Sequence, residues 1–247
     1  MTDIASHRGG ALLWPENSRL AFEQTAKLPV EQVEFDVHPS RDGRLVVIHD
    51  DALERTTDGK GAVCQHDWAD LNRLILKGSG GQRMLLLEEV VEIFRPTPII
   101  LRLEMKPGPN RTPYPNHPAR IVDALKAWHI LDRTVISSFQ LGSVVEAARH
   151  GKAMRHVWLV TPATQTDIGL AEVIKLADSN GVPMLGLRSN VLDAPTVAAV
   201  RGAGLGIGGW ACNDAPAIAK MFELGVDVFT TDRPDLALAM RASDTRS

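Results

Sequence analysis

The chain has 247 residues, 44% of them hydrophobic and 23% charged, and a formal net charge of −3. This composition is typical of a globular domain. The small negative net charge argues against non-specific electrostatic binding to nucleic acid or anionic membranes. The first residues lack the basic start and apolar run of a signal peptide, and no stretch approaches the roughly 18 apolar residues of a membrane span. We therefore expect a cytoplasmic protein with no nucleic-acid partner and no stable membrane insertion.

Short apolar runs alternate with amphipathic segments of helical period from one end of the chain to the other. This alternation predicts βαβ units and a parallel sheet. Eight units in this length favour a closed (β/α)8 TIM barrel, formed by residues 1–247 as a single domain. An open doubly wound sheet is the alternative, but no glycine-rich nucleotide fingerprint supports it. The predicted barrel strands are Ile4–His7, Val33–Val37, Ile99–Met105, Thr134–Phe139, His156–Thr161, Pro183–Arg188, Gly206–Cys212 and Asp227–Thr231.

A β-hairpin is predicted directly after the second strand. The runs Val33–Val37 and Leu45–His49 are separated by a short polar turn containing Asp42–Gly43. Asp-Gly between alternating hydrophobic runs is a strong hairpin signal. If these two residues form the loop, Asp36 lies directly across from His49, with Cβ atoms roughly 5 Å apart. The local pattern therefore predicts a carboxylate beside a histidine.

Two further excursions are predicted at the barrel mouth. The first is a small insertion at about residues 50–87, and the second is the proline-rich stretch at residues 107–118. The proline density of the second stretch rules out a regular helix or strand ladder there. His117 lies in it and is a candidate substrate contact. We expect His38 to face the other side of the hairpin from Asp36 and His49.

Charged side chains lie on the inner faces of two predicted strands. Side chains alternate across a strand, so Glu34 and Asp36 share one face, as do Arg102, Glu104 and Lys106. Carboxylates inside a barrel are costly unless they are paired or coordinated. A hard divalent cation accounts for them, since Mg²⁺ and Ca²⁺ prefer carboxylate oxygens. A structural salt bridge with an internal Arg or Lys is the alternative, and Arg102 is better explained as a buried counter-ion.

The first strand ends in His7-Arg8-Gly9-Gly10. A lone His-Arg pair is weak evidence, and a hydrogen-bonded structural histidine is its ordinary explanation. The position adds weight, because the carboxyl ends of barrel strands are where barrel enzymes keep their active groups.

Eight motifs in order extend over nearly the whole chain and together resemble the glycerophosphodiester phosphodiesterase family. Each motif alone is unspecific, but their joint order is hard to reach by chance. The motifs are His7–Gly9, Pro15–Ser18, Glu34–Asp36, Val46–Asp50, Leu53–Thr57, Leu103–Pro107, Ser137–Phe139 and Thr231–Asp235.

The resemblance implies a (β/α)8 barrel in which His7 and His49 are the general acid and base. It implies that Glu34, Asp36 and Glu104 bind one divalent cation, with Mg²⁺ or Ca²⁺ expected and Mn²⁺ an alternative. Arg8 and Lys106 would contact the phosphate, and Trp210 and Phe139 would line the substrate pocket. The chain departs from the family pattern at Arg102, where Asn is usual, and at Ala211–Cys212, where Thr-Val is usual. Both departures affect the expected shape of the alcohol pocket.

The implied reaction is metal-dependent hydrolysis of a small glycerophosphodiester to glycerol 3-phosphate and an alcohol. In the family-like route the glycerol 2-hydroxyl attacks phosphorus, and water opens the cyclic phosphate; direct attack by water is the alternative. Our working assignment is His7 as base and His49 as acid. The alternative hypotheses for the function are a lysophospholipase D, a sugar-phosphodiester hydrolase, a metal-dependent aldolase or isomerase, and a non-catalytic barrel that binds a phosphorylated ligand. A homo-oligomer is compatible with the sequence.

Overall fold

Ten strands form one sheet in the computed structural model, which describes residues 1–244. They are β1 (Asp3–His7), β2 (Gln32–Pro39), β3 (Leu45–Val47), β4 (Leu85–Leu86), β5 (Ile100–Met105), β6 (Thr134–Ser138), β7 (Arg155–Val160), β8 (Met184–Arg188), β9 (Gly206–Trp210) and β10 (Val228–Thr231). All except β3 and β4 are parallel neighbours in a closed ring, since β1 pairs with both β10 and β2. The predicted TIM barrel is confirmed, and its eight predicted strands match those of the ring to within two residues.

Helices lie between the strands of the ring. They are α1 (Arg19–Thr25), α2 (Trp68–Leu71), α3 (Leu87–Phe94), α4 (His117–Ala127), α5 (Leu141–His150), α6 (Pro162–Ile168), α7 (Leu170–Ser179), α8 (Ala194–Gly202), α9 (Ala215–Leu224) and α10 (Pro234–Asp244). Side chains of Ser18, Thr161, Asp193 and Asp214 accept hydrogen bonds from the first turns of α1, α6, α8 and α9, respectively. These caps satisfy backbone donors that would otherwise lack partners. Within residues 1–244, none of these helices is both long and apolar enough to span a bilayer.

The main hydrophobic core lies between the ring and the helices. Phe22 of α1 packs edge-on against Phe35 of β2 and Phe94 of α3, with ring centroids 5.9 Å apart in both pairs. Edge-to-face pairs of this kind add stability beyond the area they bury. Alternate β2 residues face this core, so the residues between them, including Glu34 and Asp36, face into the barrel. The predicted sidedness of the second strand is therefore confirmed.

The hairpin after β2 forms, but its predicted register is wrong. β3 pairs with β2 so that Val37 lies opposite Val47, and the loop is the three residues Arg41–Gly43. Gly43 adopts a left-handed φ of 82°, as expected in a three-residue hairpin loop with a bulge. This extra residue shifts the pairing by one, so the residue that binds the backbone of Asp36 is Ile48, whose N–H donates to the Asp36 carbonyl at 3.1 Å. His49 lies beyond the end of β3.

The predicted insertion carries α2, β4 and a second, smaller hydrophobic cluster outside the ring. β4 pairs antiparallel with β3, so the extra strands extend the sheet beyond β2. The cluster consists of Val46, Ile48, Leu53, Val63, Leu71, Leu76, Met84 and Leu86. Because Ile48 belongs to it, the insertion holds the chain segment that precedes His49.

The proline-rich stretch leads into α4. His117 begins that helix and is 3% exposed, and its Nε2 donates to the carbonyl of Val37 at 3.2 Å. The suggested substrate contact at His117 is therefore wrong, because the side chain is buried against the backbone of β2. Asn110 and Arg111 both adopt left-handed φ values, 56° and 58°. The stretch thus makes a tight turn at the barrel mouth before it enters the helix.

Candidate active site

Three carboxylates meet inside the barrel near the carboxyl ends of two neighbouring strands. In the parallel register of β2 and β5, Asp36 lies opposite Glu104 and Glu34 lies opposite Arg102. One carboxylate oxygen from each of Glu34, Asp36 and Glu104 lies within 4.8 Å of the others. The three residues are at most 6% exposed. The candidate ligands named from the sequence are therefore brought together.

The electrostatics of this cluster are uneven. Burial, and then repulsion by Asp36, raise the pKa of Glu34 to about 7. Burial alone would raise the pKa of Asp36 as well. The charge of Lys106, followed by those of His49 and Arg8, outweighs burial and holds the Asp36 pKa well below its usual range. The carboxylates of Glu34 and Asp36 therefore repel each other, and an additional cation would reduce this repulsion.

The donor set fits a divalent metal ion. Oδ1 of Asp36 is buried and has no hydrogen-bond partner among the described residues, although Lys106 Nζ lies 3.5 Å away. A buried carboxylate oxygen without a partner is uncommon unless an ion or water satisfies it. Three carboxylates within a few ångströms are the oxygen ligands that Mg²⁺ and Ca²⁺ prefer. Glu34, Asp36 and Glu104 could thus hold one such ion.

Two cationic side chains flank the carboxylates. Lys106 Nζ lies 2.8 Å from Glu104 Oε1, and the Lys106 side chain is 10% exposed. Arg8 Nε lies 3.4 Å from Asp36 Oδ2, and Arg8 NH1 donates to Glu16 Oε1 at 3.0 Å. Nε of Arg8 is itself buried without a hydrogen bond within the described residues. Both cations therefore lie beside the candidate metal site, where an anionic substrate would meet them.

Each of the two predicted histidines is paired with a carboxylate through Nδ1. His7 Nδ1 lies 2.5 Å from Asp232 Oδ1, and His49 Nδ1 lies 2.6 Å from Asp50 Oδ1. Nε2 of His7 is left on the side of Glu34, 3.7 Å from its Oε2. Burial alone would lower the pKa of His7, but Glu34 and then Asp232 outweigh it and raise that pKa above its ordinary value. Asp232 and Asp50 were not among the predicted site residues.

Arg55 connects the carboxylate partner of His49 to the carboxylate partner of Arg8, and it was not among the predicted site residues. Its Nε lies 2.5 Å from Asp50 Oδ2, and its NH1 donates to Glu16 Oε2 at 2.7 Å. Asp50 is the partner of His49, and Glu16 is the partner of Arg8. Asp50, Arg55 and Asp232 all fall inside motifs that carried the family resemblance, and that was the available signal for them.

Two cavities of about 530 Å³ and 210 Å³ open over these groups. His49, Glu104, Phe139 and Trp210 line both cavities, so the predicted pocket residues Phe139 and Trp210 lie at the site. Their rings pack edge-on with centroids 5.5 Å apart. The smaller cavity also contacts His7, Arg8 and Glu34, and the larger one contacts Lys106. The site therefore combines an inner charged part with a wider outer part.

Arg102 and His38 lie beside the site. Arg102 is 4% exposed and donates to Gln32 Oε1 at 3.3 Å, as expected of a buried cation, and burial lowers its pKa to about 10. The predicted orientation of His38 is wrong. It shares the inner face of β2 with Asp36, and its Nε2 lies 3.1 Å from the carbonyl oxygen of His49. Residues two positions apart on a strand share a face, so His38 lies on the same side of β2 as Asp36 whatever the hairpin register.

The closed barrel, with histidines, carboxylates and cations gathered at the carboxyl ends of its strands, has the architecture of a (β/α)8-barrel hydrolase. Residues 7–236 match the model of the Glycerophosphoryl diester phosphodiesterase family. The chain belongs to that family, so the resemblance inferred from the motifs is confirmed.

Individual relatives cover the chain from end to end. A glycerophosphodiester phosphodiesterase of Bacillus altitudinis is 32% identical over 98% of this chain and 98% of its own. A crystal structure of a candidate glycerophosphoryl diester phosphodiesterase from Agrobacterium tumefaciens strain C58 covers 100% of both chains at 36% identity, with a TM-score of 0.97. An Oleispira antarctica phosphodiesterase, solved in complex with its product sn-glycerol-3-phosphate, shares the fold at 22% identity and a TM-score of 0.80, over 97% of this chain and 96% of that one.

Proposed function

We propose that this protein hydrolyses glycerophosphodiesters to glycerol 3-phosphate and an alcohol, using one divalent cation and two histidines. The observation that carries the proposal is the convergence of Glu34, Asp36 and Glu104 within 4.8 Å, in a cavity flanked by His7 and His49. Family membership supports the same reaction class. The product found in the Oleispira relative supports glycerol 3-phosphate as the product here.

The three carboxylates would hold the cation. A bound divalent cation neutralises charge on a phosphate oxygen and lowers the pKa of a nearby hydroxyl. The repulsion between Glu34 and Asp36 supports this assignment, because it is the condition that a cation relieves. Mg²⁺ and Ca²⁺ suit an all-carboxylate set, and Mn²⁺ can replace them.

Arg8 and Lys106 would bind the phosphate. A phosphodiester is a monoanion, and its negative charge repels the incoming nucleophile. Arg8 offers a planar guanidinium that can donate two parallel hydrogen bonds to phosphate oxygens, and Lys106 offers a point charge. Both cations lie against the carboxylates of the site. The phosphate would therefore bind to these two local positive charges, and the protein as a whole need not carry a net positive charge.

The histidines would move the protons. Asp232 accepts from Nδ1 of His7, which leaves Nε2 as the basic nitrogen, and Asp50 does the same for His49. In the forward direction His7 Nε2 would take the proton of the glycerol 2-hydroxyl, and His49 Nε2 would give its proton to the leaving alcohol oxygen. The resulting cyclic phosphate would be opened by water with the two roles exchanged. Each proton transfer of this kind is typically worth about 10²–10⁴-fold in rate.

The test is release of glycerol 3-phosphate from a panel of glycerophosphodiesters with choline, ethanolamine, serine, glycerol and inositol head groups. Each is assayed after EDTA treatment and after addition of Mg²⁺, Ca²⁺ or Mn²⁺. We expect release that chelation abolishes and a divalent cation restores. Glu104→Gln should lose this metal-dependent activity, whereas Glu223→Gln, on the exposed side of α9, should keep it.

Two results would contradict the proposal. Turnover that survives thorough chelation would exclude a required cation on the three carboxylates. Release of a lysophospholipid head group or of a sugar phosphate, with none from the glycerophosphodiester panel, would move the substrate class. The residues that depart from the family pattern, Arg102 and Ala211–Cys212, would then be the first candidates for the altered pocket.

A further inference from the structure

A third histidine lies next to the site, and the proposed reaction leaves it without a role. His38, two positions after Asp36 on β2, is 0% exposed and lies in the wall of the larger cavity. Its Nε2 lies 3.1 Å from the backbone oxygen of His49, and its Nδ1 lies 3.1 Å from the hydroxyl of Tyr114. A buried imidazole with both nitrogens engaged links the proline-rich stretch to one of the two proposed acid–base groups.

The direction of these hydrogen bonds follows from their partners. A backbone carbonyl can only accept, so Nε2 of His38 must carry the hydrogen that it shares with His49. In the neutral ring Nδ1 is then an acceptor, and the Tyr114 hydroxyl must donate to it. The chain of donors therefore runs from Tyr114 through His38 to His49. Each link is satisfied in this one arrangement, which fixes both the tautomer and the orientation of His38.

His49 has a local need for such support. The β2–β3 ladder ends at Ile48, whose N–H binds the carbonyl of Asp36 at 3.1 Å, and His49 follows outside the strand. The His49 side chain is 30% exposed and borders both cavities. Asp50, itself held by Arg55, fixes the His49 ring through Nδ1, but this contact does not hold the His49 backbone. The bond from His38 ties the His49 backbone to a barrel strand.

Tyr114 is itself held in place. Its ring packs edge-on against His38 at 5.9 Å and against His117 at 5.6 Å between centroids. His117 in turn donates to the carbonyl of Val37 on β2. A Cβ at Gly108 would lie 2.8 Å from the Tyr114 ring, so the stretch turns closely around it. The proline-rich stretch therefore presents one tyrosine hydroxyl to the inner histidine.

We propose that His38 and Tyr114 are positioning residues that hold the backbone of His49 in register with the three carboxylates. This inference rests on the proposed function of His49. It means that the proline-rich stretch at residues 107–118 contributes to turnover through Tyr114, although Tyr114 does not contact the reacting atoms. Loss of the relay should lower kcat and leave KM nearly unchanged, because the groups that bind the phosphate are untouched.

The experiment compares kcat and KM of four variants with wild type. His38→Leu removes both hydrogen bonds and should lower kcat about 10-fold or more, while Tyr114→Phe removes one hydroxyl and should have a smaller effect. His38→Gln, whose amide can donate to His49 and accept from Tyr114, should restore most of the wild-type kcat. His66→Gln is the matched control, because Nε2 of His66 also contacts a backbone carbonyl, that of Lys60, but away from the site. It should behave like wild type.

A double-mutant cycle with His49→Ala decides whether the relay acts through His49. If it does, His38→Leu should cost little further rate once the His49 ring is absent. An equal loss of rate in both backgrounds, or a rise in KM without a fall in kcat, would overturn the proposal. Failure of the proposed function is recognised separately, as wild-type protein that releases no glycerol 3-phosphate. In that case the positioning role is tested by comparing the His49 backbone in crystal structures of wild type and His38→Leu. An unchanged backbone position would overturn the positioning role, and a displaced backbone would support it.

Discussion

The Nδ1 atom of His7 lies 2.5 Å from Oδ1 of Asp232, although 225 residues separate the two in the chain. β1 and β10 are neighbours in the ring, so the residues that follow them meet at its carboxyl end. Asn213 fixes the carboxylate, because its Oδ1 accepts from the Asp232 N–H at 2.8 Å and its Nδ2 donates to Asp232 Oδ2 at 2.5 Å. We predict that Asp232→Asn lowers kcat by about 10²–10⁴-fold, since an amide can donate to Nδ1 and leave the proton on Nε2.

Steady-state kinetics on the best glycerophosphodiester check this prediction. Asp235→Asn is the matched control, because that carboxylate pairs with Arg233 at the surface. Surface pairs of this kind contribute little, so the control should keep wild-type kcat. Equal kcat values for Asp232→Asn and wild type would show that the carboxylate is not needed to hold the His7 tautomer.

His7→Ala and His49→Ala should each lower kcat by at least about 10²-fold while the protein stays folded. Both rings border the smaller cavity together with Glu34. His150→Ala, an exposed change at the end of α5, should leave kcat at the wild-type value. Melting temperatures near that of wild type would separate a catalytic loss from unfolding. Near-normal kcat in both single variants would contradict the acid–base assignment.

The barrel and its charged interior could be predicted because they depend on local periodicity. Alternation of strands with helical segments predicts the ring, and the period of two along β2 and β5 places Glu34, Asp36 and Glu104 on inner faces. These inferences need only the sequence within each element. The register between parallel strands then brings the three carboxylates together.

The parts that could not be predicted depend on single residues or on distant contacts. One extra residue in the Arg41–Gly43 loop shifts the hairpin register, and composition does not distinguish a two-residue loop from a three-residue loop here. The pairing of His7 with Asp232 requires closure of the ring, which brings the two ends of the chain together. The link from Tyr114 through His38 depends on the path of an irregular stretch that has no periodic signal.

Removing the charge of one of the three clustered carboxylates should stabilise the metal-free protein and weaken its stabilisation by metal. Burial and Asp36 raise the pKa of Glu34 to about 7, so this group disfavours folding as the pH rises from about 4.5 through 7. Glu34→Gln removes this charge, and its amide oxygen can still accept from the Arg8 N–H. We expect a melting temperature several degrees higher without metal.

The same thermal experiment with Mg²⁺ tests the cation site. Wild type should gain about 2.7 kcal/mol of stability at a Mg²⁺ concentration 100 times the dissociation constant, whereas Glu34→Gln should gain far less. Glu223→Gln is the control and should respond to Mg²⁺ as wild type does. A Glu34→Gln protein that is both less stable without metal and equally stabilised by Mg²⁺ would remove Glu34 from the proposed ligand set.

Acid destabilisation provides a test of how α4 is joined to the barrel. Burial, the largest cause, lowers the pKa of His117 to about 4, so the folded state keeps this ring neutral while the unfolded chain protonates it near pH 6.5. The unfolded state binds more protons between these values, so the free energy of unfolding should fall as the pH drops from 6.5 to 4, by up to about 3 kcal/mol from this group.

His117→Gln can keep a donor for the Val37 carbonyl and should show a correspondingly smaller fall than wild type. Denaturant unfolding at several pH values measures the difference, in which the opposite contribution of Glu34 cancels because both proteins share it. Lys126→Gln, an exposed change on the same helix, should follow wild type. Equal pH dependence in all three proteins would show that folding does not lower the pKa of His117.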